Sequence, residues 1–237
     1  MTPLSRSLLD SGVEVGYILL MPSKNSVKIF DENQVWHVYN RGNDKRVIFH
    51  DERDYSTFLS YIKFALLPEI DEETKTAAFI QLKTERIRRL KLYKEVELIS
   101  YCLMPNHFHL QLYQSSVDGI SKFMRSVMTG YVAYYNYRYK KSGRLFQGVY
   151  KGSQINSDAY FIHLSRYIHL NPADIGDYKS YEYSSYKHYT DQVETPLWLT
   201  PKSAIQGMSA SEYEKYCDEY MSYRAELKKL NEIFADY

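Results

Sequence analysis

The chain has 237 residues, with 30 Lys and Arg against 29 Asp and Glu and a net charge of +1. A hydrophobic content of 44% with 25% charged residues excludes a disordered chain, and this length buries enough surface for one domain with an appendage without covalent staples. Two distant cysteines, Cys102 and Cys217, exclude a disulfide scaffold and a Cys-rich zinc module and suit a reducing, cytoplasmic location. The near-neutral balance means that any nucleic-acid binding must come from local basic patches. The 25 tyrosines are open to two readings, rings for base stacking or a Tyr-rich core.

No segment is expected to span a membrane, because the apolar run Val13–Met21 carries Glu14 and falls short of the ~20 residues a span needs. A secretory leader is not expected either: only Arg6 precedes that run, and no small-residue cleavage site follows. Met21 offers an alternative start, with residues 1–20 an over-called extension. Val35–Asn40 is β-branched and aromatic and predicts a strand, with Arg41-Gly42-Asn43-Asp44 as its turn. Tyr55, Phe58, Leu59, Ile62 and Ala65 recur at helical spacing from Asp51 to Leu67, where Pro68 stops them. Residues 69–94 carry a helical pattern ending in a basic run, read either as a solvated face or as a phosphate-contacting insertion.

Val96–Met104 and His107–Tyr113, split by Pro105-Asn106, predict a hairpin. Asp118 is the expected cap of a helix reaching about Lys141, ahead of Gly143. Gly143–Ile155 reads as strand or loop. Ser157 and Asp158 start a helix that Pro172 ends near Asn171. Residues 173–208 look loop-rich, and 209–237 predict an acidic amphipathic helix, a candidate cover for a basic groove. This order predicts an α+β fold: an antiparallel sheet with helices on one face.

Three constellations can carry chemistry. In His107-Phe108-His109, strand alternation points both imidazoles to one face and Phe108 to the other. Such a pair can grip a divalent ion, or it can be two hydrogen-bonded histidines. Tyr167 and Asn171 stand at i and i+4, beside a face of Phe161, Leu164 and Ile168 that would pack on the sheet. Arg138, Lys140, Lys141, Arg144 and Lys151 fall in a 14-residue stretch without an acid, interleaved with rings, and Arg41, Lys45 and Arg46 form a smaller patch after the first strand. Cations for phosphates and rings for bases suit single-stranded nucleic acid, and a solvated turn is the other reading of each patch.

Together these groups suggest phosphoryl transfer. Two imidazoles and an amide oxygen could hold Mg²⁺ or Mn²⁺, Mn²⁺ tolerating nitrogen better. Tyr167 would be the nucleophile, needing help because a phenol has an ordinary pKa near ~10.

Leu103-Met104-Pro105-Asn106-His107-Phe108-His109-Leu110 resembles the His-hydrophobic-His strand of single-tyrosine (HUH) transposases, and of their REP-associated tyrosine transposases in particular. His37-Val38-Tyr39-Asn40-Arg41-Gly42, Leu145–Lys151 and Tyr167-Ile168-His169-Leu170-Asn171-Pro172 match the same pattern in the same order, over about residues 33–190. Val149 stands where the family usually carries a basic residue.

The resemblance implies a ferredoxin-like sheet with the histidines on a central strand. It implies a divalent-metal-dependent enzyme that nicks and rejoins single-stranded, hairpin-forming DNA through a 5′-phosphotyrosine. Carried over, His107, His109 and Asn171 are the metal ligands and Tyr167 the nucleophile. The resemblance also implies residues 33–190 as the catalytic domain, between an N-terminal extension (1–32) and a C-terminal linker and helix (191–237). Monomer and homodimer both stay open. A domesticated hairpin-DNA-binding protein that does not cut, and an unrelated metal-dependent phosphodiesterase with a structural Tyr167, are the alternatives.

Overall fold

The computed structural model describes residues 30–68, 91–201, 205 and 207–235. The expectations for residues 1–28 and for the basic run up to residue 90 lie outside the described residues. Four strands, β1 (Gln34–Arg41), β2 (Val96–Met104), β3 (His107–Gln114) and β4 (Lys151–Ile155), form one antiparallel sheet in the order β2-β3-β1-β4. With α1 (Glu52–Leu66) between β1 and β2 and α2 (Gly119–Arg138) between β3 and β4, this is the ferredoxin-like split βαβ arrangement. The α+β class, the antiparallel sheet and the central position of the histidine strand match the expectation.

Strand alternation divides the sheet. Trp36 and Val38 of β1, Phe108, Leu110 and Leu112 of β3, and Leu103 of β2 join the largest core, with Phe58, Ile62 and Ala65 of α1 and Phe123, Val127 and Tyr131 of α2. Burying side chains of this size stabilises by about 1.5–3 kcal/mol each, so the interleaved apolar positions fix which way each strand faces. The opposite face, carrying His107 and His109, is covered by α3 (Asp158–His169), whose Leu164 and Ile168 pack with Cys102, Met104 and Ile155. The two helices of the ferredoxin-like unit thus share one face as expected, and α3 adds a layer on the other. It does so because its own apolar stripe needs the Cys102–Met104 strip to bury against.

Local signals explain most boundaries. Asp51 caps α1 by accepting from the Asp54 N–H, and Pro68 follows its end. Ser157 caps α3, accepting from the Tyr160 N–H at 3.3 Å. Asp118 does not cap α2: it adopts a left-handed backbone (φ 68°) with no side-chain cap bond, and the side-chain Oε1 of Gln114 accepts from the Ile120 N–H instead. Asn171 does not stop the chain outright, because Pro172 continues it as a short 3₁₀ turn, Asn171–Asp174. After α4 (Tyr186–Tyr189), Ser209 and Glu212 form a reciprocal capping box at α5 (Ala210–Ala235).

α5 packs on α3 and the 178–189 segment through Tyr213, Cys217, Tyr186 and Tyr189. Its acids Glu214 and Asp218 pair with Lys179, at 2.9 and 2.8 Å. Among the described residues, the ion pairs of this helix are with Lys179 and Asp174 and within the helix itself, and none reaches the basic stretch 138–151.

Candidate active site

Strands β1, β3 and β4 and helix α3 meet at one cavity of about 310 Å³, lined by Tyr39, Arg41, His107, His109, Lys151, Tyr167 and Asn171 among others. β3 supplies the paired imidazoles, 5.1 Å apart between ring centroids and nearly perpendicular. β1 runs beside it, with Tyr39 paired to His109 and Arg41 to His107, which puts Tyr39 and Arg41 on the imidazole side of the sheet. α3 brings Tyr167 edge-on to His109, 5.5 Å between centroids. Gln111 helps seat that helix: its amide donates to the Phe161 carbonyl while its oxygen accepts from Ser100. Asn40 ties β1 to the loop that closes the cavity, its amide donating to the Gly148 carbonyl at 3.1 Å.

Electrostatics follow from burial. Burial lowers the pKa of His107 and lowers that of His109 well below the ordinary 6.5, the charges of neighbouring His37, His107 and Arg41 adding to the effect at His109. Both rings are therefore held neutral. Burial raises the Tyr167 phenol above its ordinary 10, so a phenolate there needs nearby positive charge. Lys151 stands close, its ammonium 5.9 Å from the Tyr39 ring centroid, and Arg41 borders the same cavity.

Whether these residues fit a metal can be judged from their hydrogen bonds. The Asn106 side chain donates to the Lys45 carbonyl, so its oxygen faces His107 Nδ1 at 2.6 Å and must accept from it. His107 Nε2 is then a lone pair. The Asn171 amide donates to the Tyr167 carbonyl at 2.8 Å, which turns its oxygen toward His107 Nε2, 3.5 Å away. Two acceptors facing each other offer a place for a shared cation, because burial disfavours the imidazolium that would otherwise bridge them. The donor set fits a divalent ion that accepts both nitrogen and oxygen. Among the described residues no cluster of three His, Cys, Asp or Glu side chains is built to hold a metal, so the fit rests on two imidazoles and an amide oxygen.

The expected basic residues separate. Arg41 and Lys151 line the cavity. Lys45, Arg46, Lys140, Lys141 and Arg144 are exposed, in the turn after β1 and in the α2–β4 connection, and Arg46 also approaches Asp44 at 4.0 Å. Arg138 is placed differently from the expectation. Its guanidinium bonds Asp51 twice, the buried Asp54 and the Tyr134 hydroxyl, at 2.6 to 2.8 Å, so it is engaged inside the protein. His37, Tyr39 and Asn40 belong to a stretch that carried the family resemblance, but sequence reading gave them no role at the site. The available signal was the period of two that sets His37, Tyr39 and Arg41 on one face of the predicted strand.

Fold and site together define a centre of two histidines and one tyrosine on a ferredoxin-like sheet. Residues 56–171 match the family described as "Transposase IS200 like". No curated protein sequence matches the chain. Among solved structures, a REP-associated tyrosine transposase bound to a REP hairpin matches with a TM-score of 0.50 and 12% identity, over 73% of this chain and 89% of that one. At that identity the likeness speaks to the fold. Among the described residues no helix is long and apolar enough to cross a membrane.

Proposed function

We propose that the chain is a metal-dependent transposase and nickase that cleaves and rejoins single-stranded, hairpin-forming DNA, with residues 33–190 as its catalytic domain. The observation that carries this reading is the convergence of Tyr167, His107, His109 and Asn171 on one cavity with Lys151 and Arg41 at its edge. The family match supports a DNA-processing enzyme, and the hairpin-bound relative supports hairpin DNA as the partner class.

His107, His109 and the Asn171 oxygen would hold Mg²⁺ or Mn²⁺. When bound, the ion supplies positive charge to the scissile phosphate and lowers the barrier to its displacement. Lys151 and Arg41 bind and orient the flanking phosphates. Tyr167 loses its proton and its Oη forms a bond to phosphorus. The bond from phosphorus to the 3′-oxygen breaks, and that oxygen leaves as a 3′-hydroxyl once protonated. The product is a 5′-phosphotyrosine. A phenolate is a fair leaving group, so a second 3′-hydroxyl can reverse the step and join strands without an external energy source.

Lys45, Arg46, Lys140, Lys141 and Arg144 would extend the phosphate track beyond the cavity. The test mixes wild type and Tyr167→Phe with Mn²⁺ and labelled single-stranded hairpins from the gene's own flanks. The reading expects nicks with wild type and none with Tyr167→Phe, both proteins binding alike. Nicking by both at the same rate overturns it, and binding without nicking by either points to a non-cleaving hairpin-binding protein.

A further inference from the structure

Each candidate metal-holding imidazole must present one nitrogen as a lone pair, and a neutral imidazole then carries its proton on the other. What fixes that choice is the partner of the second nitrogen. Asn106 plays this part for His107, as its oxygen can only accept from Nδ1. For His109 the corresponding partner is His37, whose Nε2 lies 2.8 Å from His109 Nδ1. The two rings are stacked, 5.0 Å between centroids and 23° between planes.

We propose that His37 is a positioning residue: it accepts the Nδ1–H of His109 and thereby turns the Nε2 lone pair of His109 to the cavity. This rests on the metal reading above. The reverse polarity, with His37 donating, would put a hydrogen on His109 Nε2 and close that ligand position. A second observation bears on the role. His37 is 1% exposed, and its own Nδ1 has no hydrogen-bond partner among the described residues. A buried polar atom left unsatisfied costs about 1–3 kcal/mol, so an apolar side chain would serve the packing of this position better. Its one polar contact, to His109, is what distinguishes histidine here. His37 also lies outside residues 56–171, the part matched by the family.

The test titrates Mn²⁺ alone into the full chain without DNA, following free Mn²⁺ by electron paramagnetic resonance. His109→Ala should lose the site. His37→Ala should bind Mn²⁺ about 10–100-fold more weakly, the usual effect of removing an outer partner of a ligating imidazole. His37→Gln should restore most of the affinity, because its amide oxygen can accept from the same Nδ1–H. In metal-free wild type, ¹⁵N–¹H correlation spectra should show His109 protonated at Nδ1, a readout that holds even if His37→Ala does not fold. Protonation at Nε2, or unchanged Mn²⁺ affinity in His37→Ala with loss in His109→Ala, overturns the role of His37 alone. Equal affinity of wild type and His109→Ala overturns the metal site and this inference with it.

Discussion

Arg138→Met separates a structural cation from a DNA-binding one. The substitution keeps the aliphatic stem and removes four hydrogen bonds of 2.6 to 2.8 Å, to Asp51, Asp54 and the Tyr134 hydroxyl. Breaking a buried ion pair costs about 3–5 kcal/mol when it strands the partner charge. Two features reduce this here. The Asp51 side chain is 48% exposed, and the fully buried Asp54 keeps three other donors: the His50 N–H at 2.8 Å, Tyr134 at 2.6 Å and Tyr139 at 2.7 Å. The expected loss is therefore about 2–3 kcal/mol, or a fall in Tm of about 4–12 °C for a domain of this size.

Arg138 holds the Asp51 carboxyl below its ordinary value, chiefly by hydrogen bonding. A folded pKa below the unfolded one gives stability that is present above the unfolded pKa and lost as pH falls through the folded one. The gap between wild type and variant should therefore narrow in acid. Urea unfolding at neutral and acid pH measures both effects. Hairpin-DNA affinity against salt measures the rest: Arg138→Met should leave the slope unchanged, while Lys151→Ala should reduce it by about 1. An Arg138→Met protein of unchanged stability whose salt slope falls by that amount would refute this assignment.

Gly42→Ala should destabilise by about 3 kcal/mol or more, because its Cβ would lie 2.2 Å from the Arg46 carbonyl oxygen and backbone cannot yield as a side-chain tip does. A Tm within a degree or two of wild type would contradict this. His37 and His169 are fully buried with pKa values pushed down to about 3 by desolvation, from 6.5. Below pH 6.5 the unfolded chain binds protons that the folded one refuses, so metal-free protein should lose about 2 kcal/mol per histidine between pH 7 and 5. Urea titrations at the two pH values check the total, and His169→Gln should reduce the loss by roughly one histidine's share. An equal loss in variant and wild type would count against the His169 contribution.

The strands and the site's inner residues were legible because their signals are local. Alternation in Val96–Met104 and His107–Gln114 sets Phe108 into the core and both histidines onto the opposite face, and helical spacing pairs Tyr167 with Asn171. What sequence could not supply was partnership across the chain. Arg138 reads as a free cation until Asp51 and Asp54, more than 80 residues away, are brought beside it. His37 reads as a strand residue until β1 is seen to pair with β3. The acids of α5 suggested a cover for a basic groove, and where they are described Glu214 and Asp218 pair with Lys179, a partner the sequence did not point to. Asp118 carried the right residue type for a cap, but its left-handed backbone turns the side chain away from that task.

The central claim is that Tyr167 becomes covalently joined to DNA. The most direct measurement incubates wild-type protein and Mn²⁺ with a hairpin strand whose 3′ flank is short enough to diffuse away after cleavage. The product is digested with nuclease and protease and the peptides are mapped by mass spectrometry. The account predicts a nucleotide phosphate on the peptide holding Tyr167, lost when chelator is present or when Tyr167 is phenylalanine. Cleaved DNA with no modified peptide, or with the phosphate on another residue, would contradict it.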